Sequence, residues 1–164
     1  MKIHKEADLY EPVRLWFQDV LSRRFRQAEV HAYNTSRIRL STLIGQRGLQ
    51  AHFPQSNVWD IQADITALVI ARQNHVAFVE CKTGPVTLRD IGQLLGYSRV
   101  AKPVRAVLLS LKPPTDALRT LLTVYGRYDI LEYDDNRNRI LIAQWDPVRG
   151  GVLHSETLPP GENI

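Results

Sequence analysis

The chain of 164 residues holds a single cysteine and a single methionine. One cysteine excludes an internal disulfide and a cysteine-rich zinc site. No apolar run is long enough to span a bilayer, and the start, Met1 to Asp8, lacks the apolar stretch of a signal segment. These absences predict a cytoplasmic protein with no membrane partner. Internal repeats and low-complexity segments are also absent. No acidic residue occurs between Glu29 and Asp60, although Arg37, Arg39 and Arg47 lie there. An acid-free segment bearing arginines suits either a phosphate-contacting surface or an ordinary surface loop. The five histidines have no ligand-like spacing and receive no role.

What is present is ordinary for a globular protein. Hydrophobic residues make up 44% and charged residues 23%, enough for one core. At this length a single domain over residues 1–150 is the simplest reading, with 151–164 as a C-terminal tail. That tail is rich in Gly and Pro and is expected to trail over the surface. A net charge of +4 and a pI near 9.4 are compatible with a nucleic-acid partner.

The informative stretch is Asp64 to Lys82. Asp-Ile-Thr-Ala-Leu-Val-Ile-Ala is followed by Arg-Gln-Asn-His and then Val-Ala-Phe-Val-Glu-Cys-Lys. Two β-branched, apolar runs around a polar break predict a β-hairpin. Side chains alternate along a strand, so Glu80 and Lys82 share a face and Cys81 points away. A turn centred on Gln73 sets Asp64 opposite Lys82. Carboxylates and an ammonium then meet at the open end of an apolar hairpin. Burying them is costly unless they are paired or bind a cation. Hard oxygen ligands of this kind suit Mg²⁺ or Mn²⁺. A neighbouring Lys could orient or deprotonate a water, or neutralise a phosphate. Asp60 is the rival to Asp64 and could lie beside the site.

Helical spacing of Leu9, Val13, Trp16, Phe17, Val20, Leu21 and Phe25 predicts a helix over residues 9–25. Asp8 with Glu11 reads as its capping box, and Pro12 suggests a true start at Glu11 or Pro12. Glu11 is explained by the helix dipole alone. Arg23, Arg24 and Arg26 suit the far end. Residues 28–33 read as a strand. Ile38, Leu40, Leu43 and Ile44 fit a strand or a short helix, before a turn at Gln46 to Gly48. Thr87 to Ala101 is a helix opened by Thr87 and Asp90, with Leu88, Ile91, Leu95 and Val100 inward. Gln93 and Tyr97 share one of its faces. Arg89, Arg99 and Lys102 add positive charge. Val104 to Leu111 reads as a buried central strand. A helix follows from Pro113, then a strand at Asp129 to Tyr133 that pairs as a hairpin with Arg139 to Trp145. The three tryptophans are expected to pack in the core or at its rim. The pattern predicts an α/β protein with a mixed sheet flanked by helices.

Asp64, then fifteen residues, then Glu80-Cys81-Lys82, on a hairpin between helices, resembles the PD-(D/E)XK nuclease superfamily. Leu9-Tyr10-Glu11-Pro12-Val13 looks like its first helix. Gln93-Leu94-Leu95-Gly96-Tyr97 looks like the Gln-Leu-x-x-Tyr motif of RecB-like members. The likeness covers residues 8 to 111 and rests on motif order. Ala63 stands where the family often has Pro, and residues 34–59 do not map onto it.

The resemblance implies a restriction-endonuclease-like fold and metal-dependent hydrolysis of phosphodiester bonds in DNA, with Mg²⁺ or Mn²⁺ as cofactor. Asp64 and Glu80 would be metal ligands, joined by the Cys81 backbone carbonyl and by Glu11 directly or through water. Lys82 would contact the attacking water or the scissile phosphate. Gln93 and Tyr97 would orient Lys82, the metal shell or the DNA. Arg37, Arg39, Arg47, Arg89, Arg99 and Lys102 are the candidate DNA contacts. The protein could act alone, as a homodimer, or as a subunit of a larger DNA-processing complex. The alternative is a nucleic-acid-binding or assembly module that keeps the fold without catalysis.

Overall fold

The computed structural model of the protein describes residues 3–162 and 164. It is an α/β structure with four helices and a mixed six-stranded sheet. The helices are α1 (Ala7–Arg24), α2 (Leu40–Gln46), α3 (Leu88–Ala101) and α4 (Asp116–Thr123). The strands are β1 (Glu29–Asn34), β2 (Ile65–Ile70), β3 (His75–Lys82), β4 (Arg105–Ser110), β5 (Ile140–Asp146) and β6 (Gly151–Val152), in that spatial order. β1, β2 and β3 form an antiparallel meander. β4 and β5 then add in parallel, joined through α3 and α4, and β6 closes the far edge antiparallel. No helix among the described residues is long and apolar enough to cross a membrane.

The sheet is buried on both faces. Leu9, Val13, Phe17 and Leu21 of α1 cover one face, against Ile65, Ala67, Val79, Val107 and Trp145. The other face carries Leu68, Phe78, Leu108 and Ile142 beneath residues of the three remaining helices. Trp145 and Trp59 are buried and Trp16 half-buried, so the three tryptophans do pack.

Several boundaries differ from the sequence expectation for local reasons. α1 begins at Ala7, ahead of the expected start, and leaves Pro12 inside the helix. The Asp8 carboxylate accepts from the His4 and Lys5 N–H groups at 2.9 and 3.1 Å, and Glu11 pairs with Arg14, so the two acids form no capping box. An interior proline costs about 3 kcal/mol. The four buried side chains of the apolar stripe offset it at ~1.5–3 kcal/mol each. On α3 the capping box of Thr87 and Asp90 is present, but Leu94 is the inward residue while Leu88 and Val100 are exposed. Tyr128–Leu131 is a 3-10 turn rather than a strand, leaving one isolated bridge between Glu132 and Arg139. β5 pairs with β4 instead of forming a hairpin.

The C-terminal segment is part of the fold. Gly151–Val152 extends the sheet, and Leu158 exchanges both backbone hydrogen bonds with Ile142 at 2.9 Å. Leu158 is 6% exposed. Leu158→Ala should therefore destabilise the protein by about 2–5 kcal/mol, as buried Leu truncations do. Urea unfolding measures it, and a loss below ~0.5 kcal/mol, the range for exposed surface positions, would show that the segment does not pack in solution.

Candidate active site

The hairpin places the acids closer than the expected register did. Ile65 faces Val79 and Val69 faces His75, so the turn centres on Arg72 and Asp64 falls opposite Glu80, not Lys82. The correction moves the pairing by two residues, which preserves which face each side chain occupies. β2 begins after Asp64, so the Cys81 N–H has no strand partner there. The Asp64 carboxylate takes it instead, at 2.8 Å.

Glu80 sits in β3 at 5% exposure, on the sheet face covered by α3. Its Oε1 accepts from Lys82 Nζ and from Gln93 Nε2, each at 3.2 Å. Its Oε2 is buried with no partner. Burial first, and then the Asp64 charge, push the Glu80 carboxyl up to about 7 against the opposing pull of Lys82. Burial alone would discharge Lys82, but the Glu80 charge and hydrogen bond outweigh it and hold the ammonium charged. The result is a buried, under-satisfied Glu80 carboxyl that feels the Asp64 charge, with the Lys82 ammonium bonded to its other oxygen. A buried carboxylate oxygen without a donor is the environment a cation relieves. Among the described residues no three His, Cys, Asp or Glu side chains cluster as a metal cage. Two carboxylates suffice for Mg²⁺, which keeps several waters and completes its shell with substrate phosphate.

The other expected residues divide. Gln93 is brought to Glu80 by α3. Tyr97, one turn further along, is half-buried and packs against the α3-side core. Glu11 is not brought to the acids. It is exposed and forks onto Arg14 at 2.6 and 2.9 Å. Cys81 is fully buried and points into the α1-side core, as a small apolar side chain does. Asp60 is exposed and pairs with Arg39 at 3.0 Å, which ties both away from the acids. Arg47 lies over the Tyr33 ring at 4.9 Å. Arg37 lines a recess of about 410 Å³ with Tyr10, Asn34 and Ser36. Arg89 is in the first turn of α3, at the acid end, whereas Arg99 and Lys102 lie at its other end, where Val104 bonds to Val76.

Two residues near the acids escaped the sequence reading. The Tyr10 hydroxyl faces Asp64. Burial, then the Asp64 charge, raise the phenol far above its ordinary value. Glu6 is the acid at the start of α1 whose charge reaches Tyr10, Cys81 and Lys82. Positions 6 and 10 share a helix face, whereas 11, 14 and 18 form a different stripe, turned to the β1 edge. There Gln18 accepts from the Ala32 N–H and Arg14 donates to the Ala32 carbonyl. The 3.6 period held this distinction, but it needed the correct helix start and the sheet's position.

No family model, curated protein or solved structure matches the chain.

Proposed function

We propose that the protein is a metal-dependent deoxyribonuclease of the PD-(D/E)XK kind, with a restriction-endonuclease-like arrangement of its mixed sheet. The observation that carries this reading is the buried Glu80 Oε2 without a hydrogen-bond partner, on the residue across the hairpin from Asp64, while Lys82 and Gln93 both occupy Glu80 Oε1. An ion pair built for stability would satisfy both oxygens. This one leaves an oxygen free on a carboxyl that also feels the Asp64 charge.

Asp64 and Glu80 would hold Mg²⁺ or Mn²⁺. The Cys81 carbonyl is a further donor, because it leaves the strand on the same side as the N–H that Asp64 accepts. When bound, the ion supplies charge on the phosphate and lowers the pKa of a water. The chain's own residues position the reactants. Lys82 presents an ammonium to the attacking water or the scissile phosphate, and Glu80 fixes where that ammonium stands. Gln93 holds the Glu80 carboxylate, and Tyr10 steadies Asp64. Arg37, in the recess beside Tyr10, and Arg89, in the first turn of α3, are the candidate DNA contacts at the acid end. The alternative is a binding or assembly module of the same architecture, in which Glu80 and Lys82 are only an ion pair. A homodimer, or a place in a larger cytoplasmic DNA-processing complex, is compatible with either reading.

The test is cleavage of plasmid, flapped and branched DNA in Mg²⁺ and in Mn²⁺. Nicking or linearisation that chelation abolishes is the expected result. DNA binding without cleavage on every substrate would overturn the enzyme reading in favour of the module.

A further inference from the structure

At the end of the sheet remote from Asp64, the C-terminus of α1 and the β2–β3 turn enclose a recess of about 600 Å³. Arg24 and Arg26 line it from one side and Arg72 from the other, with Gln27, Gln73 and His75 between them. No carboxylate among the described residues lines it. The three arginines are exposed, and none forms an ion pair among the described residues. Asp19 pairs with Arg23 and Glu29 with His31, and the charge of Glu162 acts on Arg105. Arg24 feels the like charge of Arg105, whose own Nε is buried without a partner. The negative end of the α1 dipole accounts for Arg24, in the last turn, but not for Arg26 or Arg72, which lie outside the helix. Unpaired guanidiniums from two separate elements repel one another, so the grouping costs stability unless an anion joins them.

Two further recesses lie along β1. One, of about 490 Å³, runs along the β1 edge past Tyr33 and Arg47, and it shares Asn34 with the recess that Arg37 and Tyr10 line. These two follow β1 from Asn34 to His31, past the Glu11–Arg14 pair, and the arginine recess begins at Ala28, just before the strand. Asp64 to Ala71 is seven residues of extended chain, roughly 23 Å at ~3.3 Å each. That span matches about seven base steps of duplex at ~3.4 Å.

We infer that Arg24, Arg26 and Arg72 form a second phosphate-binding site, which grips the DNA backbone about seven base steps away from Asp64 and Glu80. The inference builds on the nuclease reading for its ligand, but binding tests it apart from cleavage. The recess anchors one flank of the duplex, and the β1 edge carries the backbone between anchor and acids.

The measurement is fluorescence anisotropy of a labelled 20-base-pair duplex over a salt series, in EDTA so that no cleavage occurs. Each phosphate contact contributes about −0.9 to the slope of log affinity against log salt. Arg26→Ala with Arg72→Ala should flatten the slope by about two units and weaken binding at least tenfold at low salt. A control pair, Arg137→Ala with Arg149→Ala, removes the same charge elsewhere and should change the slope by less than about half a unit. Equal slopes for the recess and control variants would overturn the inference. So would wild-type protein that binds inorganic phosphate but not the duplex. Retained binding with these slope changes but no cleavage in Mn²⁺ would leave the recess standing and sink the nuclease reading alone.

Discussion

Lys82→Ala should lower DNA cleavage by at least about 10²-fold, and up to ~10⁴-fold, while leaving Mn²⁺ binding intact or tighter. The two effects separate because Lys82 and the acids do different work. Lys82 Nζ sits 3.2 Å from Glu80 Oε1 and opposes an incoming cation. Removing it deletes the group that faces the water or phosphate, and also deletes a charge that repels the metal. Asp64→Ala and Glu80→Ala should abolish cleavage as well, but with weakened metal binding, because each removes a charged oxygen ligand. Calorimetric titration of Mn²⁺ alongside plasmid nicking reads both quantities on the same variants. A Lys82→Ala protein that cleaves as fast as the wild type would show that the activity does not run through this site. Glu11→Ala serves as the contrast. Its partner is Arg14, and neither cleavage nor metal affinity should change by more than about twofold, the scale of an exposed ion pair.

Glu80→Gln should stabilise the metal-free protein at pH 8 by on the order of 1–3 kcal/mol, with the gain disappearing near pH 4.5. The sign follows from the raised carboxyl. In the unfolded chain Glu80 titrates near its ordinary value of 4.5, and in the fold at about 7. Between those values the native state binds the extra proton, so wild-type stability falls as pH rises through the window. Above it the full cost of a buried, half-satisfied carboxylate is present, and glutamine, which carries no charge, avoids that cost. Below it both side chains are neutral and the two proteins converge. Adding Mn²⁺ at pH 8 should reverse the order, since only the wild type gains stability through metal linkage. Urea melts at pH 5 and pH 8, with and without Mn²⁺, test this. An identical difference between the two proteins at both pH values would refute the account of Glu80.

The two predictions bear on one architectural point. The acid end of the hairpin is where β2 stops short, so β3 loses its antiparallel partner. An unpaired N–H at Cys81 would cost ~1–3 kcal/mol if left buried and unsatisfied. Asp64 satisfies it and is thereby fixed opposite Glu80. The position of Asp64 thus follows from backbone hydrogen bonding as much as from its charge.

Elements whose signals are local were legible in the residues alone. The apolar, β-branched runs around Arg72 and Gln73 specified the β2–β3 hairpin. Thr87 with Asp90 specified the start of α3, and the apolar run before Leu111 specified a central strand. That Glu80 and Lys82 share a face was legible too, because strand alternation does not depend on register. Only the tertiary structure decided the rest, because those features turn on long-range pairing. The turn centre moved by one residue, which changed the partner of Asp64 from Lys82 to Glu80. Ile140 to Asp146 chose β4 over a local hairpin, since a central parallel partner buries both of its faces. The C-terminal segment looked solvated from its Gly and Pro content, yet Leu158 found a free backbone edge and an apolar bed at Ile142. The choice between Glu6 and Glu11, and the gathering of Arg24, Arg26 and Arg72, depend on where α1 lies against the sheet. Local periodicity cannot fix that placement, because it follows from core burial summed over residues distant in sequence.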